Sequence, residues 1–167
     1  MPKQIIEDVI NDTLKGEAQK NALDFVAYLR ENKMSPINTS NNGWKVSSKA
    51  CVVCYIWIDS DTGTLTLNPF IGEYALDSLS DEFKEIVWAN KRPTCGETCH
   101  VIVGDGYNCS YKLNTIFGKN FDDACARSIV FKNPDSNEFE CLKELIMMRK
   151  NTIKYGTKLP NAPTNYA

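Results

Sequence analysis

Four cysteines, Cys95, Cys99, Cys109 and Cys125, fall within about thirty residues of one another. Thiols at that density serve as metal ligands, as redox partners or as core residues. Cys95-Gly-Glu-Thr-Cys99 has a three-residue spacer whose glycine permits a tight turn, and such spacers occur in zinc sites. Downstream, the stretch from His100 to Cys109 reads as a hairpin turning at Gly104-Asp105-Gly106. A three-residue loop would set Cys109 opposite Val101, on the face of Cys99, whereas a two-residue loop would set it opposite Ile102 and turn it away. Cys125 would be the fourth ligand, and four thiolates make a closed, structural zinc site. Unliganded thiols and a reversible disulfide are the alternatives. Nucleophilic chemistry at a thiol commonly draws on a nearby histidine, and His100 is the only one in the chain. A thiol-dependent enzyme or redox sensor using Cys95, Cys99 or Cys109 is thus the competing function.

The other three cysteines read as packing residues. Cys51-Val-Val-Cys54 lies in a strand-like run, where residues three apart point to opposite faces and sit about 10 Å apart, beyond the reach of a disulfide or a shared metal. Cys141 falls at the margin of an apolar helix face. Asp61-Thr62-Gly63-Thr64 matches a short aspartic-protease signature, and Asp59-Ser60-Asp61 resembles the nucleophile motif of haloacid-dehalogenase-like phosphotransferases. Asp, Ser and Gly are equally the residues a plain hairpin turn selects, so an acidic hydrolase at Asp59 and Asp61 is a distant alternative.

The elements that must position these residues follow from periodicity. Ile5, Ile6, Val9, Ile10 and Leu14 recur at helical spacing, Gly16 interrupts them, and Ala18, Ala22, Phe25, Val26 and Leu29 resume the pattern to Asn32. The segment from Ser35 to Gly43 has loop chemistry throughout. Lys49 to Ile58 and Thr64 to Phe70 form a hairpin, with Ile58 facing Leu65 and Ile56 facing Leu67. Cys54 shares that apolar face, and Tyr55, Trp57 and Thr66 occupy the other. Apolar bulk on both faces requires cover on both, so Trp44, Tyr55 and Trp57 are the candidate surface for a small-molecule ligand or a protein partner. Ser78 or Ser80 caps a helix through about Asn90, closed by Pro93. A short strand is expected over 126–131, and Asn133-Pro134 sets the cap and first position of a last helix that runs to about Asn151. The tail 156–167 reads as a mobile end after a single domain over 1–155.

Two stretches resemble a group of small uncharacterised bacterial proteins. The first is Ile116-Phe-Gly-Lys-Asn-Phe-Asp-Asp-Ala-Cys125, and the second is the Glu140-Cys-Leu-Lys-Glu-Leu-Ile-Met-Met-Arg149-Lys150 helix. The resemblance implies a single-domain chain with a cysteine cluster just before the I-F-G-K segment, and it brings no activity. Here the cluster has a longer spacing and an inserted hairpin.

The 167 residues suit one domain, and 43% hydrophobic with 24% charged residues is an ordinary globular composition. Nineteen basic against twenty-one acidic residues leave a net charge of −2. No basic stripe stands out, which argues against nucleic acid as a partner. The apolar-rich run from Ala50 to Ile58 is far shorter than the roughly 20 residues that span a bilayer, so no membrane association is expected. Acidic Glu7 and Asp8 fall where a secretion signal needs apolar residues. With an odd number of cysteines, a reduced cytoplasmic setting is the expectation. The chain reads as an α+β domain: an antiparallel sheet packed with N-terminal, middle and C-terminal helices, carrying a Cys-bearing hairpin insertion. Its expected function is a non-enzymatic binding or regulatory module.

Overall fold

The computed structural model describes residues 3–49, 51–70, 78–91, 112–116, 119–125 and 129–154. Gly16 divides the N-terminal helical pattern as its position suggests. It adopts φ 60° between α1 (Ile6–Thr13) and α2 (Gly16–Glu31), a conformation open to glycine at little cost. Helix α1 buries Ile6 and Ile10, and α2 buries Ala22, Phe25, Val26 and Leu29. A two-pronged Arg30–Glu7 contact, at 2.8 and 3.0 Å, ties the helices together. Both side chains are partly exposed, so it adds no more than about 1 kcal/mol.

The sheet begins earlier than its composition suggests. Ser35 to Ser40, expected as loop, forms strand β1, and Asn42 at φ 54° turns the chain into β2 (Gly43–Ser48). An edge strand needs ladder bonds on one side only and tolerates proline and polar residues. Local composition therefore understated it. Strands β3 (Cys51–Asp59) and β4 (Thr64–Pro69) form the expected hairpin, with Ile58 opposite Leu65, Ile56 opposite Leu67 and Asp59 opposite Thr64. A short strand β7 (Phe131–Lys132) completes an antiparallel sheet in the order β1-β2-β3-β4-β7.

A bulge alters the start of β3. Val46 pairs with Cys54 but Ser47 pairs with Val52, which leaves Val53 as an extra residue. Ser48 then pairs with Cys51. Val46 and Ser48 share a face of β2, so Cys51 and Cys54 share that face too. The expectation that they point to opposite faces is corrected: strict alternation does not survive an inserted residue.

Helix α3 (Asp81–Ala89) is capped by Ser80, whose hydroxyl accepts the Phe83 N–H at 3.2 Å. Helix α4 (Ser136–Lys154) starts later than Asn133-Pro134 suggests. Its cap is Asp135, whose carboxylate accepts the Glu138 N–H while the Glu138 carboxylate accepts the Asp135 N–H, at 2.8 and 2.9 Å. Asn133 is recruited by β4 instead. Its N–H donates to the Leu65 carbonyl at 2.8 Å and its Oδ1 accepts the Leu65 N–H at 2.7 Å, with φ at 47°. Asn133→Ala is expected to lower the unfolding free energy by about 2–4 kcal/mol, from an unpaired Leu65 N–H and a left-handed alanine. Asn133→Gly, which relieves only the backbone, should cost about 1 kcal/mol less in a urea titration. Equal losses would contradict the backbone part.

The hairpin of β5 (Lys112–Ile116) and β6 (Lys119–Cys125) was not visible in the sequence. The hairpin expected around Gly104-Asp105-Gly106 lies outside the described residues, as do Pro93 and the tail. Of the strand expected over 126–131, Ile129 bridges to Lys91 and Phe131 enters β7. The helices cover one face of the sheet. Phe25, Val26, Leu29, Leu142, Leu145 and Ile146 join Trp44, Val46, Ile56, Ile58, Leu65 and Leu67 in one buried cluster. The architecture is α+β.

Candidate functional site

Opposite the buried cluster, the alternate residues of the same strands form a second face. Pairing aligns them in two rows: Ile37, Lys45, Tyr55 and Asn68 in one, and Gly43, Trp57, Thr66 and Lys132 in the other. Tyr55 and Trp57, two residues apart on β3, stack with ring centroids 5.5 Å apart and planes 20° from parallel. Trp57 nevertheless keeps 39% of its surface exposed, and Ile37 keeps 50%. Large apolar side chains left in water on a strand face mark a surface suited to a partner.

The exposed indole owes its posture to a residue with no side chain. A Cβ on Gly43 would stand 2.5 Å from the Ser40 Oγ and 3.2 Å from both Cδ1 and Nε1 of Trp57, so the bare backbone of β2 makes room for the Ser40 hydroxyl and the indole together. The rows mix this aromatic centre with hydrogen-bonding Thr66 and Asn68 and cationic Lys45 and Lys132. No carboxylate lies within either row.

Of the three aromatics singled out in the sequence, the structure brings together two. Trp44 sits opposite Ile56 in the core at 1% exposure, with its Nε1–H directed at the Gln4 carbonyl 3.4 Å away. It belongs to the other face. Three neighbours that the sequence reading missed, Ile37, Lys45 and Lys132, join through strand pairing. Lys45 and Ile37 were legible only to a reading that made 35–48 a hairpin.

The acidic loop after β3 is a turn. The Asp59 Oδ1 accepts the N–H groups of Asp61 and Thr62 at 2.9 and 3.2 Å. Hydrogen bonds from Thr62, through its side chain and backbone, and from the Asp61 backbone hold the Asp59 carboxyl below its ordinary range. A carboxylate so committed closes the loop. Among the cysteines, Cys54 and Cys141 are buried, and burial pushes each thiol up to about 12. Glu144 and Glu138 add to the effect at Cys141. Cys51 is half-buried, and all three are free thiols.

Cys125, the one candidate metal ligand among the described residues, ends β6 opposite Lys112. Cys95, Cys99, Cys109 and His100 lie outside them. Among the described residues no three His, Cys, Asp or Glu side chains gather as a metal site, and no helix is long and apolar enough to cross a membrane.

One more residue escaped the sequence reading. Arg149 follows Leu142, Leu145 and Ile146 at helical spacing on α4, and it keeps only 8% exposure with its guanidinium 4.8 Å from the Phe70 ring centroid. The spacing was the available signal. Comparison of the chain with protein-family models, curated proteins and solved structures finds no match in any of the three.

Proposed function

We propose that this protein is a non-enzymatic binding module that recognises a protein partner through the open sheet face centred on Tyr55 and Trp57. The observation that carries this reading is the stacked pair of half-buried Tyr55 and exposed Trp57 on the side of the sheet away from the helices. Aromatics supply contact area at low entropic cost and dominate binding energy in interfaces. Small-molecule sites are concave, whereas an open strand face suits a macromolecule. Lys45 and Lys132 favour a partner with acidic groups around an apolar centre.

Size limits the strength of the contact. Five strands about 4.8 Å apart and about 20 Å long present roughly 400 Å², half of the roughly 800 Å² per partner in a stable complex. The face is the centre of a modest or transient interface. Affinity capture followed by titration of the purified partner tests this. Tyr55→Ser/Trp57→Ser should lose the partner while melting within a few degrees of wild type. Retained binding by the folded double variant would refute the assignment. Sedimentation of the chain alone would reveal whether the partner is a second copy.

The cysteine region completes the proposal as a structural zinc site of Cys95, Cys99, Cys109 and Cys125. Cys125 closes the end of its hairpin at which the chain enters from the Cys109 side, a topology that favours shared ligation. Bound zinc would cross-link that region and supply no chemistry. Protein purified without added metal should carry one zinc per chain and lose it in Cys125→Ser, as measured by elemental analysis. Metal-free wild-type protein would overturn this part alone.

A further inference from the structure

Arg149 is the most anomalous side chain in the described structure. It keeps only 8% exposure, and its Nε–H has no hydrogen-bond partner. Among the described residues no carboxylate forms an ion pair with it. Its own helix offers none, because Leu145 and Ile146 stand four and three positions before it and Thr152 and Ile153 three and four after. A guanidinium keeps its proton under all ordinary conditions, and a buried charge is costly unless it is paired. Buried polar groups are almost always satisfied, so this one points to an anion that binds there.

The surroundings hold the guanidinium in place and leave its donors unused. Leu142, Leu145 and Ile146 seat the preceding turns of α4 in the core. The Phe70 ring, its centroid 4.8 Å from the guanidinium carbon, is fixed in turn by the Phe70 N–H, which donates to the Val53 carbonyl at 2.9 Å. A ring face attracts the cation but takes up none of its N–H groups in the plane. Among the described residues Nε is the one side-chain atom both sealed from water and unpartnered, so the terminal nitrogens form the open end of the group. The other cations of this stretch of α4 are engaged elsewhere, Lys143 with Glu140 and Lys150 with the Asn32 carbonyl. One positive charge in a dry setting is matched by one negative charge, and a dianionic phosphate would bury a second charge uncompensated. A carboxylate carries a single charge and meets a guanidinium with two parallel hydrogen bonds.

We propose that Arg149 anchors a binding site for a small monocarboxylate, whose carboxylate pairs with the buried guanidinium beside the Phe70 ring. The two carboxylate oxygens accept from Nε–H and from one terminal N–H, which supplies the missing counter-charge and satisfies the stranded donor. A side chain so little exposed leaves a narrow opening, so the rest of the ligand is short. Only the folded chain presents this arrangement, and the ligand therefore stabilises the fold. The site lies under α4 on the helix-covered side of the sheet and does not depend on the function of the open face.

The test titrates the purified full chain with propionate, propionamide and inorganic phosphate at constant pH and ionic strength, following the Nε–H signals of its four arginines by two-dimensional NMR. The Arg149 signal is identified by its loss in Arg149→Met. Propionate should shift that signal saturably, with a midpoint on the order of 1 mM, and leave the signal of Arg30, which is paired with Glu7, in place. Phosphate should bind at least tenfold more weakly and propionamide should have no effect. Propionate should also raise the melting temperature of the wild type and leave that of Arg149→Met unchanged. Should Arg149→Met fail to fold, Arg149→Lys identifies the signal and the wild-type titrations decide the matter. No saturable shift at about a hundredfold excess over that midpoint overturns the proposal, as does an equal response to propionamide or to phosphate.

Discussion

Trp44→Ala is expected to lower the unfolding free energy by about 3–5 kcal/mol, the usual loss for removing a buried aromatic. The same change at Trp57 should cost about 1 kcal/mol, because β-surface substitutions span about that range. The two indoles lie on adjacent strands but on opposite faces. Trp44 is 1% exposed within the cluster that the helices cover, and truncation there leaves a cavity among Ile56, Val46 and their neighbours. It also removes the indole N–H that the Gln4 carbonyl accepts. Trp57 rests on Gly43 and Tyr55, and its loss exposes little that was dry. Domains of this size hold about 5–15 kcal/mol in all. Urea titration should therefore show Trp44→Ala partly unfolded where Trp57→Ala remains native. Equal losses would mean that the two faces are not as assigned.

The second large effect concerns binding. Tyr55→Ser/Trp57→Ser should weaken the partner complex at least a hundredfold, since paired aromatic hot spots contribute about 2 kcal/mol or more each and tenfold in affinity is about 1.4 kcal/mol. Lys45→Ala should act more gently and mostly on the association rate, because a rim charge steers encounter more than it holds the complex. Gly43→Ala offers a finer probe. The new methyl would stand 2.5 Å from the Ser40 Oγ and 3.2 Å from the Trp57 ring, so the Ser40 hydroxyl must swing away and the indole shift slightly, and affinity should fall without loss of the indole. A hundredfold loss from the aromatic pair with no loss from Lys20→Ala on exposed α2 would separate face-specific recognition from general weakening.

Much of this fold was legible in the sequence where a local pattern agreed with the tertiary structure. The hairpin register from Cys54 to Pro69 followed from alternation and a four-residue loop. Helices α1, α2 and α3 followed from apolar periodicity, with Ser80 as one of two expected caps. The misreadings have physical causes. Strand β1 is polar because it is an edge, and loop and edge-strand compositions overlap. Asn133 resembles a helix cap because a side-chain oxygen that can accept a helical N–H can equally accept one from Leu65. Asp135 and Glu138 satisfy each other and take the cap.

The candidate site divides in the same way. Tyr55 and Trp57 were identifiable because alternation fixed their face, while Trp44 was misplaced because its strand was entered from a presumed loop. The bulge at Val53 could not be inferred from Cys51-Val-Val-Cys54, whose residues fit a regular strand equally well. That single inserted residue turns Cys51 onto the helix-covered face, opposite Ser48. Arg149 itself occupied an apolar periodic position, where an arginine is ordinarily assumed to reach solvent.

Photo-crosslinking from position 57 tests the central claim most directly. Trp57 is replaced by benzoylphenylalanine, which keeps an aromatic group on the open face, and exposed Lys20 on α2 is replaced likewise as the helix-side comparison. After irradiation with the purified partner, the account predicts a covalent adduct from position 57, lost when Tyr55 is changed to Ser, and none from position 20. An adduct from position 20 with none from position 57 would contradict it.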